Sequence, residues 1–128
     1  MLSFHFWRKV VRSFKFAAAG VAHSFSERNM QVHLLATVVV VVLGIVLKLS
    51  FIEWMLVLLC IGFVLSSELV NTAVEQMCDG LVKSKALDYK DAGLPKDLAA
   101  GSVLVAAVTS GVVGLAIFLW HVKILMGA

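Results

Sequence analysis

The chain has 128 residues and a formal charge of +3, and 61% of its residues are hydrophobic. That length bounds it to one domain, and a mean hydropathy of +0.99 excludes a soluble globular domain, which needs far more polar surface. The composition is that of an integral membrane protein, and no nucleic-acid partner is expected.

The first residues lack a compact apolar stretch followed by a small-residue cleavage site, so no signal peptide is expected. Residues 4–26 read as an amphipathic helix. Phe4, Trp7, Val11, Phe14, Ala18, Val21 and Phe25 recur at spacings of three and four. Arg8, Lys9, Arg12 and Lys15 take the opposite arc. Such a helix lies in the headgroup plane with its basic groups toward lipid phosphates or solvent. It can be a plain anchor, or some of its basic groups can also hold a phosphorylated ligand.

Three spans follow. Residues 31–49, "QVHLLATVVVVVLGIVLKL", would favour a strand in water. In lipid the backbone must satisfy itself, so about 20 apolar residues form a spanning helix. The second span is expected at 52–78 and the third at 98–120. A polar segment separates them and holds the only proline, Pro95, just before the third helix is expected to begin. Five basic residues precede the first span (Arg8, Lys9, Arg12, Lys15, Arg28). Four more lie in the segment around 80–97 (Lys83, Lys85, Lys90, Lys96). The positive-inside rule therefore puts the N-terminus in the cytoplasm and the C-terminus outside, as three spans require. In the third span Ala107 with Gly111, and Ser110 with Gly114, are small residues four apart that permit close helix approach. Three spans make a thin bundle, so self-association is expected.

The chemistry concentrates in "ELVNTAVEQMCD", residues 68–79. At 100° per residue Glu68, Glu75 and Asp79 share one narrow face, with Asn71 at its edge. A solvated helix end accounts for Asp79 but poorly for Glu68, about two and a half turns deeper. Ionisable groups in a span cost several kcal/mol and face a partner, a bundle interior or a water-filled cavity. Glu27, in "SERN", is the only acid in the first 52 residues; as a purely structural residue it would pair with a nearby arginine in a turn. Lys96 and Asp97 stand at the mouth of the third span, where Asp97 is expected to cap the helix and Lys96 to anchor at the interface. All three groups lie at one depth. Carboxylates gathered there repel unless a cation sits among them, and hard oxygen ligands suit Mg²⁺. Carboxylates, a lysine and Mg²⁺ are what phosphoryl transfer needs. Neither a P-loop nor a GxGxxG motif is present. His5, His23, His33 and His121 have no mutual ligand spacing, and His33 reads as a packed or hydrogen-bonded histidine. Cys60 and Cys78 read as small buried hydrophobes.

In the segments "SFKFAAAG" (13–20), "SERNMQVH" (26–33), "ELVNTAVEQMCD" (68–79) and "KDLAAGSVL" (96–104), the chain resembles the small prokaryotic diacylglycerol kinase/undecaprenol kinase family of membrane lipid kinases. The resemblance covers nearly the whole chain. It implies an all-α membrane protein: an N-terminal amphipathic surface helix and three transmembrane helices, assembled as a homotrimer in the cell (inner) membrane. It further implies ATP- and Mg²⁺-dependent phosphorylation of a lipid alcohol. Carried over by position, Glu68 resembles the general base. Glu27 and Glu75 resemble the Mg²⁺-holding carboxylates. Asp79, Lys96 and Asp97 resemble nucleotide-side residues, Asn71 a support for base or nucleotide, and Lys15 a phosphate contact. "KDLAAG" and "ERN" are closer to the undecaprenol kinase branch, which makes undecaprenol the expected acceptor and diacylglycerol the alternative. The approach segment "ALDYKDAGLPKD" departs from the family's usual form, and no nucleotide contact is carried over to residues 83–95. Two other classes are open on the residues alone. A proton or cation carrier subunit would need polar steps through both halves of the membrane, which the third span lacks. An assembly or anchor protein would be indifferent to Glu68→Gln.

Overall fold

The structure, a computed structural model, describes residues 4–127. Those residues form four helices and no strand: α1 (Phe4–Ser24), α2 (Arg28–Val46), α3 (Phe51–Lys83) and α4 (Tyr89–Leu125). The last three are long and apolar enough to cross a membrane.

No acid lies in α1, and nearly every side chain on it is exposed, including Phe4, Trp7 and Phe14. The Arg12 guanidinium lies 5.4 Å over the Phe16 ring one turn on, a cation–π pair along the helix. The helix closes at Ser24, two residues short of the expected 26. There Ser24 Oγ donates to the Val21 carbonyl and Ser26 Oγ to that of His23, both at 2.7 Å. Hydroxyls that take the last carbonyls compete with continued helix.

The polyvaline segment is helical, and α2 begins at Arg28 rather than 31. Its other end is closed by a Schellman turn. Lys48 N–H meets the Ile45 carbonyl and Leu49 N–H that of Gly44, with Lys48 at φ 55° where glycine is usual. Gly44 is the seat for Trp54 of α3: a Cβ there would stand 2.8 Å from the indole.

The larger departure is at the polar segment. The 33 residues of α3 extend about 50 Å and the 37 of α4 about 55 Å, against a hydrocarbon thickness of about 30 Å. Both helices therefore run past the membrane. The expected loop shrinks to 84–88, closed by a second Schellman turn with Lys85 at φ 60°. Pro95 lies inside α4, not before it. It has no N–H for the Asp91 carbonyl, a loss that water can make good beyond the bilayer. Asp97 consequently caps nothing: the N-cap position is Asp88, whose side chain makes no capping bond.

α3 packs chiefly on α4, more lightly on α2, and touches α1 least. The buried apolar set is small: Met30, Leu49, Val57, Cys78, Ala92, Val103 and Ala106. Large side chains such as Leu59, Leu104 and Leu115 are mostly exposed, as expected of surfaces covered by lipid or by another subunit. Cys78 is buried and Cys60 half-buried, and both are free thiols. Of the small residues of α4, Ser110 touches α3, its Oγ donating to the Cys60 carbonyl at 3.3 Å, while Ala107, Gly111 and Gly114 line an apolar cavity facing α2 and α3.

Candidate functional site

Glu68 is the seventeenth step along α3 from Phe51, about 26 Å up the helix axis, a distance comparable to the hydrocarbon thickness of about 30 Å. It is 2% exposed, as is Asn71 one turn on. Asn71, His33, Glu75 and Glu27 surround Glu68, and among the described residues no lysine or arginine forms an ion pair with it. Burying a carboxylate without a cation is unfavourable for folding, so folding does not account for Glu68.

The Asn71 amide donates from Nδ2 to Glu75 Oε1 at 3.2 Å. Its own Oδ1 is buried with no hydrogen-bond partner, a rare state for an interior carbonyl oxygen. Glu27 occupies the N-cap position of α2 but does not cap it. Its Oε1 instead accepts from Gln76 Nε2 of α3 at 3.3 Å. Glu27, Glu68, Asn71 and Glu75 are thus brought together where α2 begins.

A cavity of about 340 Å³ opens on Glu68, Asn71 and Glu75 of α3, with Asn29, Val32 and His33 of α2 and Ala100, Val103, Leu104 and Ala107 of α4 in its walls; Glu27 stands outside that lining. His33 and Ala107 also border the apolar trough, about 320 Å³, which runs on to Val57, Gly114 and Phe118. A cavity that carries the polar side chains on one wall and an almost wholly apolar trough therefore meet at His33. That arrangement can take a molecule with a polar head and an apolar chain.

One turn beyond Glu75, Asp79 Oδ1 accepts from Lys96 Nζ at 2.7 Å, an exposed ion pair between α3 and α4. The other two expected residues are not gathered in. Asp97 is exposed on α4, and Lys15 lines a shallow cleft built from α1 alone.

Among the described residues no group of three His, Cys, Asp or Glu side chains could hold a metal. The donors present nonetheless fit Mg²⁺, which takes one or two carboxylates and completes its shell with water and phosphate oxygens. Glu27 and Glu75 each have one carboxylate oxygen outside the bonds described, and Asn71 Oδ1 is a buried hard oxygen without a donor.

Sequence reasoning missed Gln76 and His23. Gln76 Nε2 lies 3.0 Å from His23 Nε2 as well as close to Glu27. Gln76 lies within the 68–79 segment, at a position to which the resemblance gives no role, and His23 lies outside the four segments; the packing of the α1–α2 corner on α3 brings them together. The pair formed by His121 Nε2 and Glu53 Oε1, 3.0 Å apart at the opposite end of α3, was equally unread.

The comparisons with known proteins agree with one another. The family model for prokaryotic diacylglycerol kinase matches residues 15–118. An undecaprenol kinase of Bacillus subtilis is 43% identical over 109 residues, covering 84% of this chain and 86% of the relative. A diacylglycerol kinase of Synechocystis sp. is 36% identical over 103 residues, covering 80% of this chain and 58% of that longer protein. No solved structure matches the chain.

Proposed function

We infer acceptor and mechanism from one premise: the chain belongs to the prokaryotic diacylglycerol kinase family and is a membrane lipid kinase. Its acceptor is undecaprenol, its donor ATP, and its product undecaprenyl phosphate. The observation that carries this reading is the position of Glu68, buried without a lysine or arginine partner among the described residues, on the wall of a cavity that borders an apolar trough. The choice of acceptor is supported by the "KDLAAG" and "ERN" segments and by the name of the 43% identical relative.

The lipid chain lies along the apolar trough and presents its hydroxyl at His33. Glu68 accepts the hydroxyl proton as the oxygen attacks the γ-phosphorus of ATP, and ADP leaves. Glu27 and Glu75 would hold Mg²⁺, which neutralises the polyphosphate charge. Asn71 fixes Glu75 through its amide. Asp79, Lys96 and Asp97 stand on the nucleotide side, and Lys15 reaches lipid or nucleotide phosphate. The N-terminus is cytoplasmic, where ATP is. The exposed apolar surfaces of the helices are covered by lipid and by two further copies in a homotrimer.

The test is direct transfer. Purified protein in mixed micelles receives labelled ATP, Mg²⁺ and either undecaprenol or diacylglycerol. Faster labelling of undecaprenol is expected. A preference for diacylglycerol would keep the mechanism and overturn the acceptor. No label in either lipid, from folded protein, would sink both.

A further inference from the structure

We propose that Gln76 is a positioning residue for the metal-holding carboxylates, locking the α1–α2 corner onto α3 so that Glu27 faces Glu75. The proposal rests on the reading of Glu27 and Glu75 as the Mg²⁺ pair. Its geometric basis is the bridge from Gln76 Nε2 to Glu27 Oε1 at 3.3 Å and to His23 Nε2 at 3.0 Å. Among the described residues, no other side-chain hydrogen bond ties α1, α2 or their corner to α3 or α4.

The chemistry fixes the orientation of this amide. A carboxylate can only accept, so the NH₂ side of Gln76 must face Glu27. That nitrogen carries two hydrogens, one for Glu27 and one for His23, whose Nε2 accepts when the ring proton is on Nδ1. Both acceptors belong to the same corner, so one side chain fixes it at two points.

The consequence is specific to the metal. Glu75 and Asn71 are on one helix, and α3 itself sets their spacing. Glu27 arrives from another element, and α2 is only lightly packed on α3. Apolar burial of Met30 holds the helix but does not aim a carboxylate. Gln76 is exposed, and exposed hydrogen bonds add little to stability. What Gln76 contributes is direction, as the outer partners of metal ligands do.

The experiment measures Mn²⁺ binding by electron paramagnetic resonance, with a non-hydrolysable ATP analogue present and no turnover. Wild type, Gln76→Leu, His23→Ala and Glu75→Gln are compared, and thermal unfolding is followed without metal. Gln76→Leu is expected to weaken Mn²⁺ about tenfold and to raise half-saturating Mg²⁺ for phosphorylation in step, with unfolding unmoved. His23→Ala is expected to shift both in the same direction by less. Unchanged Mn²⁺ affinity in both variants, or a lower unfolding midpoint with unchanged affinity, overturns the proposal. Unchanged affinity in Glu75→Gln instead overturns the metal pair itself, and with it the reason for a positioning residue.

Discussion

Two levels of the α3–α4 hairpin treat the same side chain in opposite ways. At the Ser50 end, Glu53 has everything a carboxylate can ask for. It accepts from Ser50 N–H and Ser50 Oγ, both at 2.7 Å, in a capping box, and lies 3.0 Å from His121 Nε2 on α4. Near the middle of α3, Glu68 is more deeply buried and, among the described residues, has no ion pair, and its neighbour Asn71 keeps an oxygen without any donor. A carboxylate with all its partners in place is structural. One kept from water without a lysine or arginine partner adds nothing to folding, and in the proposed reaction it serves as the base.

The sharpest way to break that contrast is to neutralise each acid. Glu68→Gln is expected to cut lipid phosphorylation by about 10²–10⁴-fold, the usual contribution of a general base. Its thermal unfolding should stay where it was or rise. Glu53→Gln should do the reverse: activity kept, and stability lowered by about 1 kcal/mol as the capping box weakens. Both can be read from the transfer assay and from unfolding in the same micelles. Equal loss of activity in both variants would erase the distinction.

A second comparison lies within the Lys83 end. Asp79 and Lys96 form the shortest ion pair in the described residues, but the aspartate side chain is 68% exposed. A double-mutant cycle with Asp79→Ala and Lys96→Ala should give a coupling below about 1 kcal/mol in stability. If nucleotide binding falls in either single variant, the pair's role is on the donor side rather than in holding the hairpin. The smallest expected effect is at the turn. Lys85 holds a left-handed backbone that costs a non-glycine residue about 1 kcal/mol, so Lys85→Gly should raise stability by a few tenths to about 1 kcal/mol. Unfolding midpoints would show it.

Much of this was legible in the residues. The spacing of Glu68, Asn71, Glu75 and Asp79 fixes a face on any helix, and hydropathy alone marks three spans. The extra length of α4 was hidden because Tyr89–Asp97 is polar and holds Pro95, both ordinary signs of a loop. That stretch is a mostly exposed helix with only Ala92 buried, and hydropathy has nothing to report there. The Gln76 bridge was unreadable for another reason: a glutamine has no preferred motif, and its partners come from a corner far back in the chain. Asp97 shows the opposite error, where a good capping residue before an apolar run belonged to the middle of a longer helix.

The excess length of α3 and α4 over the bilayer has a kinetic corollary. A membrane lipid kinase samples its alcohol from a two-dimensional solution, while the nucleotide arrives from a three-dimensional one. The substrate scale for the lipid is its mole fraction in the surface. Inert detergent added at constant total lipid therefore slows the reaction like dilution, although nothing in the tube has become less concentrated by volume.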